Sequence, residues 1–172
     1  PKTLTQLIYA PNGKVSAWGF EARKKLVDLR NNAEAEGKYD FFPSFKMELH
    51  QGLNQTNDIP MITAQSGKKY LVTDLISDYL SLLKDEVMKE LMHNTAGYIN
   101  TSEIRWCWTV PAIWTDKDKQ LMREAARKAG LIGFGYDEDR RLELTLEPEA
   151  AAIHCLKNAK FGLEAGDSFM VV

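Results

Sequence analysis

Two periodicities alternate along the second half of the chain, and that alternation limits the fold more than any other feature. Ile104-Arg105-Trp106-Cys107-Trp108-Thr109-Val110 is dense in aromatic and β-branched residues and is bounded by Pro111, the pattern of a strand. Thr115-Asp116-Lys117-Asp118 resembles a capping box. It opens a helix whose small apolar stripe is Leu121, Met122, Ala125, Ala126 and Ala129, stopped at Gly130. Leu142 to Leu146 reads as a further strand, Pro148 fits the first turn of a helix over Glu149 to Leu156, and Phe169 to Val172 begins one more strand. Strand, helix, strand, helix, strand is the rhythm of an α/β fold, most simply a sheet layered against helices. A run of apolar residues ending at Val172 would be a costly exposed edge, so the native chain is expected to continue past it.

The first half carries the same two patterns less regularly. Thr3 to Tyr9, the turn signal Pro11-Asn12-Gly13, and Val15 to Trp18 predict a hairpin. Glu21 to Arg30 places Ala22, Leu26, Val27 and Leu29 near helical spacing. Phe41, Phe42, Phe45, Met47 and Leu49 form an aromatic-rich segment compatible with either helix or strand. Ile59 to Thr63 and Lys69 to Val72 are short strand candidates around Gly67. Thr73-Asp74 then reads as an N-cap pair for the strongest helix signal in the chain, with Leu75, Ile76, Tyr79, Leu80, Leu83, Val87, Met88 and Leu91 repeating at three and four.

Composition excludes several classes. With 172 residues, 44% hydrophobic and 27% charged, the chain can bury a substantial core and is not disordered. A net charge of -2 provides no field to gather nucleic acid, and Arg23-Lys24-Lys25 beside Leu26 and Val27 reads as a solvated helix face. No apolar run reaches the roughly 20 residues of a membrane span. Cys107 and Cys155 form no CxxC pair, which fits a reducing compartment and a cytoplasmic or nuclear location. His50, His93 and His154 are far apart and make no metal motif; His154, on the alanine-rich helix, is expected to be partly buried. Gly130-Leu131-Ile132-Gly133-Phe134-Gly135 lacks the Lys-Ser/Thr of a phosphate cradle and reads as a flexible connection.

Trp108-Thr109-Val110-Pro111-Ala112-Ile113-Trp114, a helix ending in Ala129-Gly130-Leu131, and Leu146-Glu147-Pro148-Glu149-Ala150-Ala151-Ala152 follow one another in a specific order. Together they resemble the actin-like ATPase domain of the seventy-kilodalton heat-shock chaperones. Arg105-Trp106, Lys119 to Ala126, Trp18 to Arg23 and Phe45-Lys46-Met47 look like its divergent "member twelve" branch. The resemblance spans most of the chain and is strongest from Arg105 to Cys155.

The resemblance implies an actin-like (ribonuclease H-like) α/β fold with a mixed sheet and flanking helices, of which this chain is part of lobe one. Residues 1–99 would form its outer small subdomain and 100–172 part of its inner sheet-bearing subdomain. It implies ATP and Mg²⁺ as ligands of the intact protein. Both phosphate loops fall outside the matched stretch, so this fragment alone is expected neither to hydrolyse ATP nor to hold it tightly.

Site residues follow by position. Glu147 matches the family glutamate near the metal and the attacking water; from the residues alone it reads as a helix-start carboxylate. Lys46 matches the lysine that contacts the γ-phosphate, with Phe45 in the adjoining register. Pro111 matches a proline switch and Lys119 the basic residue coupled to it, although a proline there equally suits a strand terminator. The alternative function is a non-catalytic interaction module on the same scaffold, with Trp18, Trp106, Trp108 and Trp114 as candidate contacts.

Overall fold

A computed structural model describes residues 3–32, 37–50, 60–95, 97, 99–133, 140–158, 164 and 166–171. The elements run β1 (Leu7–Tyr9), β2 (Val15–Trp18), α1 (Gly19–Arg30), β3 (Asp40–Phe42), β4 (Met61–Thr63), β5 (Lys69–Leu71), α2 (Val72–Asn94), a 3-10 turn (Thr101–Glu103), β6 (Trp106–Val110), α3 (Asp116–Lys128), β7 (Leu142–Leu146) and α4 (Glu147–Asn158). The chain is thus mixed α/β. Its described strands form three separate sheets rather than the single layered sheet that the alternation suggests. Strand type is written locally, but the partner strand is not.

The predicted hairpin forms by antiparallel pairing of Leu7 with Trp18 and Ile8 with Ala17, and its turn closes through the Gly13 amide on the Ala10 carbonyl at 2.9 Å. The turn takes Gly13 to a φ of 77°, a left-handed conformation that glycine adopts without a Cβ penalty. β3 adds to the other side of β1 with Phe42 opposite Leu7, so β1 is the middle strand and is buried throughout. The aromatic segment therefore divides: 40–42 is strand, and 48–50 is helical.

α2 leaves β5 without a break and begins at Val72, not after a Thr73-Asp74 cap. Its N-cap, Leu71, has no side-chain capping bond. The Val72 amide instead donates to the Pro60 carbonyl at 2.9 Å, which satisfies one of the free amides that a cap would serve. Thr73 is buried, and Asp74 pairs with Lys128 of α3 at 2.9 Å.

β6 and β7 pair in parallel, Trp106 with Leu142 through Val110 with Leu146, and α3 forms the crossover that such a pair requires. The capping box is realised in full: Thr115 Oγ1 accepts from the Asp118 amide, and the Asp118 carboxylate accepts from the Thr115 amide. At the other end Gly130, at φ 69°, gives a Schellman stop. Its amide donates to the Arg127 carbonyl, and the Leu131 amide donates to that of Ala126. The rest of the predicted glycine-rich connection, 134–139, lies outside the described residues.

Ala125, Ala126 and Ala129 of α3 are buried, and small side chains there let α2 approach closely. Lys84 of α2 donates to the Ala129 carbonyl at 2.9 Å, which answers the negative end of α3. One hydrophobic cluster joins Leu7, Phe42, Phe45 and Leu49 to Leu75, Val110, Trp114, Met122 and Leu142. Each buried leucine or phenylalanine contributes about 1.5–3 kcal/mol. Asp40, buried beneath this layer, accepts from the Ser66 amide and hydroxyl and from the Tyr70 hydroxyl at 2.9 Å.

Two further expectations are corrected. Residues 169–171 are not a strand: Met170 is 84% exposed, and no described strand pairs with them. An apolar extended segment becomes a strand only when a partner supplies the ladder. His154 is exposed, as are its neighbours from Ile153 to Lys157, because this end of α4 packs against little of the described chain. Among the described residues no helix is long and apolar enough to cross a membrane.

Candidate functional site

Parallel pairing brings the C-terminal ends of β6 and β7 side by side, with Val110 opposite Leu146. Pro111 follows the first, and Glu147 follows the second as the opening residue of α4. In open α/β sheets ligands gather beyond the carboxyl ends of parallel strands. Here that end is crossed by the segment after β3, anchored by the buried side chains of Phe45 and Leu49.

Between those anchors, Lys46 Nζ pairs with Glu147 Oε1 across 101 residues of sequence. The same ammonium stands 5.9 Å from the ring centroid of Trp114, a buried residue directly before Thr115, the N-cap of α3. Trp114 in turn donates its amide to the Pro111 carbonyl at 3.2 Å. Lys46 is thus the link between Glu147, its ion-pair partner, and Trp114, whose backbone is tied to Pro111. Lys46 also lines an apolar cavity of about 330 Å³ with Phe45, Ile76, Tyr79, Cys107 and Trp108.

Lys119 stands apart. Its ammonium pairs with Asp116 on its own helix at 3.2 Å and faces a groove of about 550 Å³ between α3 and β7, together with Arg123, Glu143 and Glu149. Of the four tryptophans, Trp114 is buried and Trp18, Trp106 and Trp108 pack half-buried against the core.

A second polar contact escaped sequence reasoning. His50, at the far end of the same segment, places Nδ1 2.8 Å from Asp118 Oδ2. Asp118 is fully buried and also accepts from the Thr115 amide at 2.7 Å and the Thr115 hydroxyl at 2.9 Å. Burial opposes its charge, but the bond with His50 and those from Thr115 outweigh it and hold the carboxyl below its ordinary range. The available signal was an acid at the third position of a predicted capping box; nothing local marks the histidine.

A lysine ammonium beside a carboxylate is suited to holding an anion at one group and orienting a water at the other. Among the described residues no group of three His, Cys, Asp or Glu side chains is placed to hold a metal ion.

Fold and site together define a mixed α/β protein with a lysine–carboxylate pair at the carboxyl ends of two parallel strands. No protein-family profile matches the chain. Over 156 residues, 91% of its length, it is 36% identical to heat shock 70 kDa protein 12A of Homo sapiens. Over the same share it is 37% identical to heat shock 70 kDa protein 12A of Mus musculus, and 33% to heat shock 70 kDa protein 12B of Homo sapiens. The chain is a homologue of these heat shock 70 kDa protein 12 proteins, as its motifs suggest, and it spans 22% of their length.

Proposed function

We propose that the chain is part of the nucleotide-binding domain of a heat-shock chaperone-like protein that binds ATP with Mg²⁺ and uses its hydrolysis to change conformation. The observation that carries this reading is the Lys46–Glu147 pair at the carboxyl ends of β6 and β7, in a homologue of heat shock 70 kDa protein 12A. ATP supplies the phosphoryl group that passes to water. Lys46 holds negative charge at the terminal phosphate, and Glu147 orients the water and takes its proton. Pro111, tied to Trp114 at the end of β6, relays the state of that site toward α3, where Lys119 responds. The reading includes an actin-like arrangement, with residues 1–99 as an outer subdomain of lobe one and 100–172 as part of the inner one.

The test is ATP turnover by the full-length protein. Glu147→Gln is expected to slow it by about 100-fold, the loss typical of removing a general base, with circular dichroism unchanged. Unchanged turnover removes Glu147 from the mechanism, and absence of turnover in the unsubstituted protein favours the interaction module. The 172-residue chain alone is expected to bind Mg-ATP weakly, and micromolar affinity in calorimetry would contradict that.

A further inference from the structure

β4 and β5 make a two-stranded sheet of three residues a side, with no third strand among the described residues. A ribbon of that size is marginal on its own, so its stability depends on what fastens it. Asp40 of β3, 2% exposed, accepts at Oδ1 from the Ser66 amide at 3.2 Å. Its Oδ2 accepts from the Ser66 hydroxyl at 3.0 Å and the Tyr70 hydroxyl at 2.9 Å. Lys68 donates to the Pro11 carbonyl at 3.1 Å, and the Tyr70 ring packs with its centroid 5.0 Å from that of Tyr9 and 5.1 Å from that of Phe42.

Ser66 combines two properties that seldom go together. It is exposed in the turn of the hairpin, beside Gly67 at φ 85°, yet its hydroxyl bonds a buried carboxylate. Lys68 and Lys69 follow it at the second and third positions and are exposed as well. A serine with basic side chains just beyond it carries a charge pattern by which a kinase with an acidic cleft selects its substrate.

We propose that Ser66 is a phosphorylation site whose phosphate releases the tip of the β4–β5 hairpin from Asp40. The Ser66 oxygen forms a bond to the γ-phosphorus of ATP held by a serine kinase, and the bond from that phosphorus to the oxygen shared with the β-phosphorus breaks. ADP leaves, and the hydroxyl proton passes to a carboxylate of the kinase. The acceptor is presented when the short ribbon opens locally. The proposal is independent of the nucleotide reading above, since a second enzyme supplies the chemistry.

The modified turn cannot return to its place. Phosphorylation removes the hydroxyl proton that Asp40 accepts and adds a charge of about −1.5 to −2. The gap of 3.0 Å between the two oxygens leaves no room for a phosphoryl group. Lys68 and Lys69 oppose the effect, but a solvated ion pair is worth at most about 1 kcal/mol. A buried carboxylate facing a like charge and short of a donor costs more, so repulsion wins. The base of the hairpin, where the Val72 amide donates to the Pro60 carbonyl at 2.9 Å, stays closed.

The test uses the full-length protein, incubated with Mg-ATP and the catalytic fragment of protein kinase C, beside Ser66→Ala. Mass spectrometry is expected to find phosphate on Ser66, and its absence there overturns the proposal. Hydrogen exchange then compares modified and unmodified protein at the Ala64 amide, which closes the turn on the Lys68 carbonyl at 2.8 Å. Exchange there should be about tenfold faster after modification, the equivalent of one hydrogen bond to a charged group, with Val72 and the β6–β7 ladder unchanged. An unchanged rate at Ala64, or an equal rise at all three places, overturns the release. In Asp40→Asn the same modification should speed Ala64 by less than about threefold, because no charge is left to repel. An undiminished rise in that variant overturns the part given to Asp40, and the proposal with it.

Discussion

His50 Nδ1 lies 2.8 Å from Asp118 Oδ2, joining residues 68 apart in sequence, and the acid has no exposed surface. One carboxylate thus serves both as the capping-box acid of α3 and as the partner of a histidine from another part of the fold. Asp118→Ala is expected to cost about 3 kcal/mol in urea unfolding, because it removes a buried partner and a cap together. A loss below about 1 kcal/mol would show that the contact is incidental.

Acid stability follows from the same group. The folded-state pKa of Asp118 is depressed, so its contribution is fully present above the unfolded carboxylate value and is lost as pH falls through the lower folded value. Thermal unfolding followed from neutral pH to below about pH 4 should show this limb. Asp118→Asn, less stable at neutral pH, should lose less on acidification; parallel curves for the two proteins would contradict the assignment.

Alkaline stability has the opposite sign. Burial, then the hydrogen bond to Asp40 and its charge, push Tyr70 up to about 12, and burial followed by Asp78 raises Tyr9 further. Both hydroxyls are held neutral in the fold, so their stabilisation is whole below the ordinary tyrosine pKa of about 10 and is lost as pH rises toward the folded values. Tyrosinate absorbance should rise in two stages, the later one coinciding with loss of the circular dichroism signal. Titration of every tyrosine near pH 10 with the fold intact would refute this.

Gly19 and Gly13 separate two costs of a side chain. Both have positive φ, but a Cβ on Gly19 would stand 2.4 Å from Thr3 Oγ1, while one on Gly13 meets open space. Gly13→Ala should cost about 1 kcal/mol from the backbone alone, and Gly19→Ala more. Adding Thr3→Ala should recover the excess, and equal losses at the two glycines would dispose of the steric term.

Lys119 pairs with Asp116, whose side chain is fully exposed. Lys119→Ala should therefore leave stability within about 0.5 kcal/mol of the parent. If Lys119 serves the relay from Pro111, that variant of the full-length protein should hydrolyse ATP while losing the nucleotide-dependent change in protease sensitivity. Retention of that change removes Lys119 from the relay.

What could be read from sequence was what neighbouring residues decide. The hairpin at Gly13, the box from Thr115 to Asp118 and the stop at Gly130 depend on side chains within a few positions of one another, and each forms as expected. Thr73-Asp74 misled because Val72 finds its partner in Pro60, on the other side of a turn. Motif resemblance supplied Lys46 and Glu147 separately, but not that they touch across 101 residues. The segment 169–171 has strand composition without a strand, since composition carries no information about which edge, if any, will accept it.

The shared core has a consequence of its own. Leu7, Phe42 and Leu49 lie before residue 100, Val110, Trp114 and Leu142 after it, and all belong to one buried cluster. A chain severed near Asn100 would leave two pieces, each displaying the apolar surface that the other was built to cover. Such pieces should find each other again in solution, and the protein would behave less like two beads on a string than like a broken cup whose halves still fit.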